Sequence, residues 1–383
     1  MARKPAAVPE KILGEAPDTA PVHPVTRLDQ VVGQAGPRAM LESVMRSGRV
    51  HHAWIFHGPQ GVGKFSTAVA FGAAILDPTL SANLSGELAP DPESRVQSLV
   101  SAGTHPDLHV VTKELAAHSR VSATRDGKQI ALATDVVREF LIEPAQRSCV
   151  LRSPGSLVGK VFIVDGAELM NAIGQNLLLK TLEEPPEGTV IILVTSSEDR
   201  LLATIRSRCQ RVGFSPLDES QMAEWMRVAG VSVGPEDARS LLQFAQGSPG
   251  AARLALENDL LSWQAAIGPM LDQLWQSRFP PDLPSTMDGL IKARAEAAVK
   301  AAPDASKDAA NKFWARLMLG YVAEHVRRRL RQDPADPAVA SRGLAMIDAI
   351  QAAEVYLATN VNLTLVLENL CAQMAAEPTA IVA

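Results

Sequence analysis

Gly58-Pro59-Gln60-Gly61-Val62-Gly63-Lys64-Phe65 is the stretch of this 383-residue chain whose residue types and spacing point most directly to chemistry. It matches the phosphate-loop pattern GxxxxGK. Gly58, Gly61 and Gly63 let backbone N–H groups close around phosphate oxygens, and a helix starting there aims its positive end at the same place. Lys64 would reach the β- and γ-phosphates. The plain alternative is a Gly-rich turn with a surface lysine. The next position breaks the pattern. A Ser or Thr there ligates Mg²⁺ through its hydroxyl, and Phe65 has none. Ser66 and Thr67 come next, but successive helix residues turn by about 100°, which aims their hydroxyls elsewhere.

A second acidic element is defective in parallel. Val161-Phe162-Ile163-Val164 is an apolar run ending at Asp165, an acid placed to meet the magnesium. In hydrolysing enzymes of this build a Glu comes next and polarises the attacking water. Here the next residue is Gly166, and Glu168 reads as part of the following helix. Asp165 could otherwise serve as a helix N-cap. With the metal hydroxyl and the water-activating carboxylate both missing, hydrolysis by this chain is not expected, and ATP or ADP binding is expected to be weak or absent.

The elements that must position these groups are legible as periodicities. Residues 27–47 read as a helix after a short entry. Ala53-Trp54-Ile55-Phe56 is a buried-strand signal, and Ser66–Leu76 is a helix of small and apolar residues. Strand, glycine loop and helix are the context a phosphate loop requires. Residues 77–104 are mixed and broken by Pro78, Pro90 and Pro92; His105–Val111 is a turn leading into a strand; 116–128 reads as a polar loop. A helix at Val136–Leu141, strands at Val161–Val164 and Val190–Val194, and a helix at Asn176–Leu182 complete the alternation. Strands alternating with helices imply a parallel sheet covered on both faces.

After Pro216 the character changes. Residues 217–258 carry two or three short helices, and the Ala- and Leu-rich remainder reads as a bundle of four or five more. The expected organisation is a leader at 1–25, rich in Pro and Ala and disordered, an α/β nucleotide-binding-like domain at 26–216, a small helical domain at 217–258 and an all-α bundle at 259–383.

Composition excludes several classes. Lys plus Arg is 37 against 42 Asp plus Glu, a net charge of −5, which is no basic nucleic-acid coat. Aromatics are 4%, too few for stacking platforms along single strands. Cys149, Cys209 and Cys371 stand far apart without a CxxC pair, so neither a zinc knuckle nor a disulfide framework is expected; a cytoplasmic protein is. No stretch approaches a membrane span, and the N-terminus lacks a secretory signal. His51 and His52 point to opposite sides of a strand, the wrong arrangement for a shared metal. The run Arg327-Arg328-Arg329-Leu330-Arg331 reads as a solvated helix face, a contact to an acidic neighbour, or a DNA contact.

Two further blocks are highly specific: Asn176-Leu177-Leu178-Leu179-Lys180-Thr181-Leu182-Glu183-Glu184-Pro185-Pro186 and Ala203-Thr204-Ile205-Arg206-Ser207-Arg208-Cys209-Gln210. With Val32-Gly33-Gln34, His52-Ala53-Trp54 and the phosphate loop, they resemble the AAA+ clamp-loader family of the bacterial DNA polymerase III. The resemblance covers about 26–256, more loosely the helical C-terminus, where Asn360–Glu368 is similar to the family's closing helix. It implies a P-loop AAA+ domain, a lid domain and a collar bundle. The degenerate motifs resemble the branch without hydrolysis; gamma/tau motors keep the Thr and Glu missing here, and such a motor is the alternative reading. A nucleotide-binding regulator outside replication fits the specific blocks less well.

The resemblance also implies roles. Arg208 would act in trans as an arginine finger on ATP held by a neighbouring gamma/tau subunit, with Ser207 and Cys209 positioning the turn. Thr195 or Ser196 fits the sensor-one position and Arg253 the sensor-two position on the lid. Implied partners are gamma/tau and delta subunits, with the sliding clamp and primed DNA reached through the assembly. Many members carry a four-cysteine zinc module between the phosphate loop and the second acid. This chain has only Cys149 in that interval, so no zinc is expected, and the 77–104 stretch is expected to take the module's place.

Overall fold

A computed structural model describes residues 27–82, 86–127, 131–301, 306–359 and 361–376. The expected leader at 1–25 lies outside the described residues. Contacts group the rest into two compact units, one drawn from residues up to 59, 63–121 and 131–215, the other from 60–62, the segment beginning at 122, and everything from 216 onward.

Among the described residues the first unit has seven strands: β1 Ala53–His57, β2 Ser81–Ala82, β3 Leu88–Ala89, β4 Leu108–Val111, β5 Lys160–Asp165, β6 Thr189–Thr195 and β7 Gln210–Gly213. Five of them form a parallel sheet in the order β4-β5-β6-β1-β7. The central strands read as unbroken apolar runs because both faces are covered. Every residue of β6 is buried, as are Ala53–Phe56 and Lys160–Val164. The Lys64–Leu76 helix is buried along nearly all its length, and its small residues permit close approach to the sheet. A Cβ on Gly72 would sit 3.2 Å from both Leu108 and Val161. On the other face Leu178, Leu182, Val136, Leu141 and Ile205 pack with Ile55, Phe162, Val164 and Leu193.

The register sets the site. His57 pairs with Thr195, and Asp165 with Val194, so the C-terminal ends of β1, β5 and β6 lie level. Ligands of open parallel sheets bind at that edge.

Three expectations need correction. Residues 116–128 are not plain loop: Lys113–His118 is a 3-10 helix and Ser122–Arg125 a short α-helix. Within 77–104 the described residues form an antiparallel β2–β3 pair and an Arg95–Ser101 helix around Asp77. That carboxylate is fully buried and accepts from Thr79 N at 2.9 Å, Thr79 Oγ1 at 2.7 Å, Ser94 Oγ at 2.5 Å and Gln97 Nε2 at 3.2 Å. The helix expected at Val136–Leu141 runs on through 134–145, with a π turn at Arg138–Ile142. Buried Lys160 closes its end, donating to Pro144 O at 2.8 Å and Arg147 O at 2.6 Å.

His109 on β4 stacks on Phe162, ring centroids 4.6 Å apart. Burial, reinforced by the Lys160 ammonium, pushes its pKa down to about 4 from 6.5. The folded state therefore prefers the neutral ring. Above pH 6.5 both states are neutral and stability is full. As pH falls from 6.5 toward 4 the unfolded chain takes up the proton first, and stability drops by up to about 1.4 kcal/mol per unit. The urea midpoint of the wild type should fall more steeply across that window than that of His109→Gln. Parallel falls would remove His109 from the account.

The second unit is helical. Helices Glu219–Val228, Pro235–Ala245 and Pro249–Glu257 precede the longer Leu261–Trp275, Leu283–Ala301, Lys307–Gln332, Pro337–Ala358 and Leu363–Ala375. Their starts carry physical signals: a reciprocal Asp218–Gln221 capping box, Ser248 before Pro249, Ser306, Asp336 before Pro337, and Asn362. Trp263, Ile267, Leu274, Met318, Leu319, Leu367 and Leu370 are buried. Arg342 joins two helix ends, donating to Leu274 O at 2.6 Å and Met374 O at 3.4 Å while reaching Ser277 Oγ at 2.5 Å. Arg342→Ala should cost about 2 kcal/mol, since it strips charge-assisted bonds from carbonyls at two helix ends, of which Leu274 O keeps the Ser277 amide. A urea midpoint unchanged by the substitution would show the staple to be idle.

Candidate functional site

The phosphate loop leaves β1 at His57 and enters the Lys64–Leu76 helix, as its spacing requires. Gly58 has φ +140°, and a Cβ there would run into Phe214 O. Gly63, the helix N-cap, has φ +100°. Only glycine takes both positions without strain. Gln60–Val62 count with the second unit, where Ser248 Oγ donates to Gln60 O at 3.0 Å and Gly250 N to Gly61 O at 2.9 Å. Gly61 has φ +76°, and a Cβ on it would collide with Ser248 Oγ.

Lys64 is 6% exposed and donates to Gly58 O at 2.8 Å and Pro59 O at 2.5 Å. Burial lowers its pKa, partly opposed by the charges of Glu168 and Asp165. The lysine is thus held by its own loop and feels the charges of two nearby acids. Thr67 turns its hydroxyl back onto Gly63 O at 2.8 Å. Phe65 brings no oxygen to the loop.

Asp165 ends β5, and Gly166, at φ +71°, is the residue that caps the short Ala167–Leu169 turn; the N-cap role open to Asp165 in the sequence thus falls to Gly166. Burial and the charge of Glu168 raise the Asp165 pKa, with Lys64 opposing. Glu168 lies in that turn, but its carboxylate reaches back to the end of β6. Oε1 accepts from Ser196 Oγ at 2.6 Å and Ser196 N at 3.1 Å. Burial would raise the Glu168 pKa, but the bonds from Ser196 and Thr195 outweigh it and the pKa is lowered. Thr195 is 1% exposed, and its Oγ1 also accepts from Ser197 N at 3.1 Å. The edge therefore gathers Gly58, Gly63, Lys64, Asp165 and Thr195, together with Glu168, whose role sequence spacing did not reveal.

No hydroxyl comes directly after Lys64, no carboxylate directly after Asp165, and Lys64 and Ser196 are already engaged. Among the described residues, no group of three or more His, Cys, Asp or Glu is placed to hold a metal ion.

Arg208 stands apart from this edge. It comes after the Ala203–Arg206 helix, 37% of its side chain is exposed, and it pairs with Glu183 at 2.7 Å while donating to Thr204 O at 2.9 Å. Glu183 is the first glutamate of the Leu-Glu-Glu-Pro-Pro block, so the two specific sequence blocks meet here. Gln175, 4% exposed, anchors the approach by accepting from Leu202 N at 2.8 Å and donating to Arg200 O at 3.1 Å. Burial pushes the Cys209 thiol up to about 12, which suits packing and not nucleophilic chemistry. At the end of β1, Glu198 takes Arg211 Nε at 2.5 Å and His57 Nδ1 at 3.3 Å.

In the second unit Arg253 is exposed and pairs with Glu257, one turn on, at 3.7 Å. The arginine run is largely satisfied there. Arg327 and Arg331 face Glu324, Arg328 meets Gln243 and His325, and Arg329 binds Asp272. It is not a row of free cations. Among the described residues no helix is long and apolar enough to cross a membrane.

The sheet order, the phosphate loop and the acid at the end of β5 define an AAA+ P-loop fold, with helices after it. Residues 33–218, just under half of the chain, match the family described as DNA polymerase III, delta subunit. A DNA polymerase III subunit delta' of Escherichia coli K12 is 31% identical over 225 residues, 59% of this chain and 60% of that protein. The Pseudomonas aeruginosa PAO1 subunit delta' is 33% identical over 201 residues, 52% and 53% of the two chains. A gamma/tau subunit of Mycobacterium tuberculosis H37Rv is 30% identical over 195 residues, 50% of this chain and 29% of that protein. The chain spans less than two thirds of the length of these relatives.

Proposed function

We propose that this chain is a delta-prime-type subunit of a DNA polymerase III clamp loader, hydrolyses no ATP itself, and supplies Arg208 to ATP held by a neighbouring gamma/tau subunit. Delta, the sliding clamp and primed DNA are the further partners in this reading. The observation that carries it is a pairing of opposites. The chain's own nucleotide edge lacks the metal hydroxyl and the water-activating carboxylate, while a guanidinium from the Ser-Arg-Cys turn stands accessible on a rigid support.

The physics is that of a finger in trans. A planar guanidinium spreads two N–H bonds over a transferring phosphoryl and offsets the charge developing there. The exposed Glu183 pair that holds Arg208 is worth about 1 kcal/mol or less, so a more highly charged phosphate can displace it. Gamma/tau relatives match the chain as well, but a motor of that kind needs the groups that Phe65 and Gly166 replace. The test is ATP hydrolysis by an assembly reconstituted from this chain with its cognate gamma/tau and delta subunits, clamp and primed DNA. Arg208→Ala should depress it with the assembly intact on a sizing column, and an unchanged rate would defeat the assignment.

A further inference from the structure

The feature that the proposed function leaves unused is Glu168. It is neither the acid that ends β5 nor the residue after it, yet its carboxylate occupies the hydrogen-bond donors at the end of β6. Ser196 gives it both its hydroxyl and its amide, at 2.6 and 3.1 Å. Oε2 of the same carboxylate is buried and has no hydrogen-bond partner. Its charge and that of Asp165 act on Lys64, the residue that a bound triphosphate would otherwise claim.

The turn that brings it there is fixed. Gly166 reverses the chain at φ +71°, and a Cβ on it would press on Leu169 at 3.0 Å. Ala167 and Met170 are buried, and Leu132 N donates to Leu169 O at 3.1 Å. Glutamate at 168 is therefore delivered to Ser196 by backbone geometry, and Gly166 is part of the device as well as a missing catalytic acid.

We infer that Glu168 is a built-in anion standing where a terminal phosphate would be held, so that this edge admits a nucleoside diphosphate in preference to a triphosphate. The inference rests on the reading that the chain's own site does no hydrolysis, and it gives that site a ligand class. A γ-phosphate would have to displace Ser196 from Glu168 and then lie against a carboxylate kept ionised by its bonds. A diphosphate ends short of this group and needs only the loop amides and Lys64.

The test is equilibrium binding to the full-length chain of fluorescently labelled ADP and ATP, each without metal and with Mg²⁺. The wild type should favour the ADP probe by about tenfold or more, since even a like charge about 12 Å away at an effective dielectric near 20 is worth about tenfold and a nearer one is worth more. Glu168→Gln keeps the shape and an acceptor for Ser196 but removes the charge. It should bring ATP to within about threefold of ADP, chiefly by tightening ATP, and Glu168→Ala should do the same. Thermal melting checks that both variants are folded, and the glutamine variant keeps the test open if the alanine variant is not. A preference for ADP that survives both substitutions overturns the inference. So does equal binding of the two probes by the wild type, or failure of every folded variant to bind ATP. None of these outcomes bears on Arg208, whose test reads a neighbour's hydrolysis.

Discussion

Arg208→Ala should lower hydrolysis at the adjoining subunit's ATP site by about 10³-fold, the lower end of what a finger contributes in related NTPases. In the proposed role the guanidinium would act on charge present mainly in the transition state, which makes the expected effect large. The chain should fold and assemble as before. Arg208 is about one-third exposed, and its partner Glu183 is 49% exposed, so the fold loses a pair worth about 1 kcal/mol or less. Arg208→Lys should recover little, since an ammonium has the charge without the planar fork. Glu183→Gln separates positioning from catalysis. It leaves Arg208 held by Thr204 O alone and should change turnover far less than loss of the guanidinium. Full activity of the alanine variant in an intact assembly would show that the Ser-Arg-Cys turn has another purpose.

Asp77→Ala should be the most destabilising single substitution in the first unit outside its apolar core, at about 3–5 kcal/mol. The carboxylate is fully buried, and four donors from Thr79, Ser94 and Gln97 converge on it. Removing it leaves the Gln97 amide and the Ser94 hydroxyl facing a hole, and Ser94 is also the N-cap of the Arg95–Ser101 helix. The β2–β3 pair and that helix therefore loosen together. Asp77→Asn should recover part of the loss, because one oxygen still accepts while the amide nitrogen opposes the remaining donors. Urea unfolding followed by tryptophan fluorescence measures it, and Val150→Thr, at a side chain 70% exposed, is the control expected to stay within about 0.5 kcal/mol. A midpoint for Asp77→Ala close to the control would mean that the hub does not hold this region.

How far each element is legible in the residues depends on how it is stabilised. β1, β5 and β6 are buried on both faces, so they appear as unbroken apolar runs. The helix starts of the second unit appear as Asp218, Ser248, Asp336 and Asn362 because capping is a local interaction. β7 did not appear. It is an edge strand in which Val212 is the one buried residue, and it exists because β1 offers it a backbone ladder. The 3-10 helix at Lys113–His118 likewise left no periodic trace.

The site divides in the same way. Lys64 and Asp165 are legible because a loop and a strand end fix them within a few residues. Glu168 and Ser196 lie 28 residues apart, and Glu183 and Arg208 lie 25 apart with β6 between them. Those pairings are products of the sheet order and of the turn at Gly166, and no spacing rule encodes them. The Arg327–Arg331 run shows the reverse: conspicuous in sequence, it is largely satisfied by Glu324, Asp272, Gln243 and His325.

The central claim is that Arg208 acts upon a neighbour's ATP, and the amplitude of the first round of phosphate release reads that directly. Assemblies containing wild-type or Arg208→Ala chain would be loaded with ATP, mixed rapidly with clamp and primed DNA, and monitored by a phosphate sensor. The expected result is a burst diminished by the share of a single site, with the remaining sites firing at their normal rate. A full burst at the wild-type rate from an intact Arg208→Ala assembly would contradict the account.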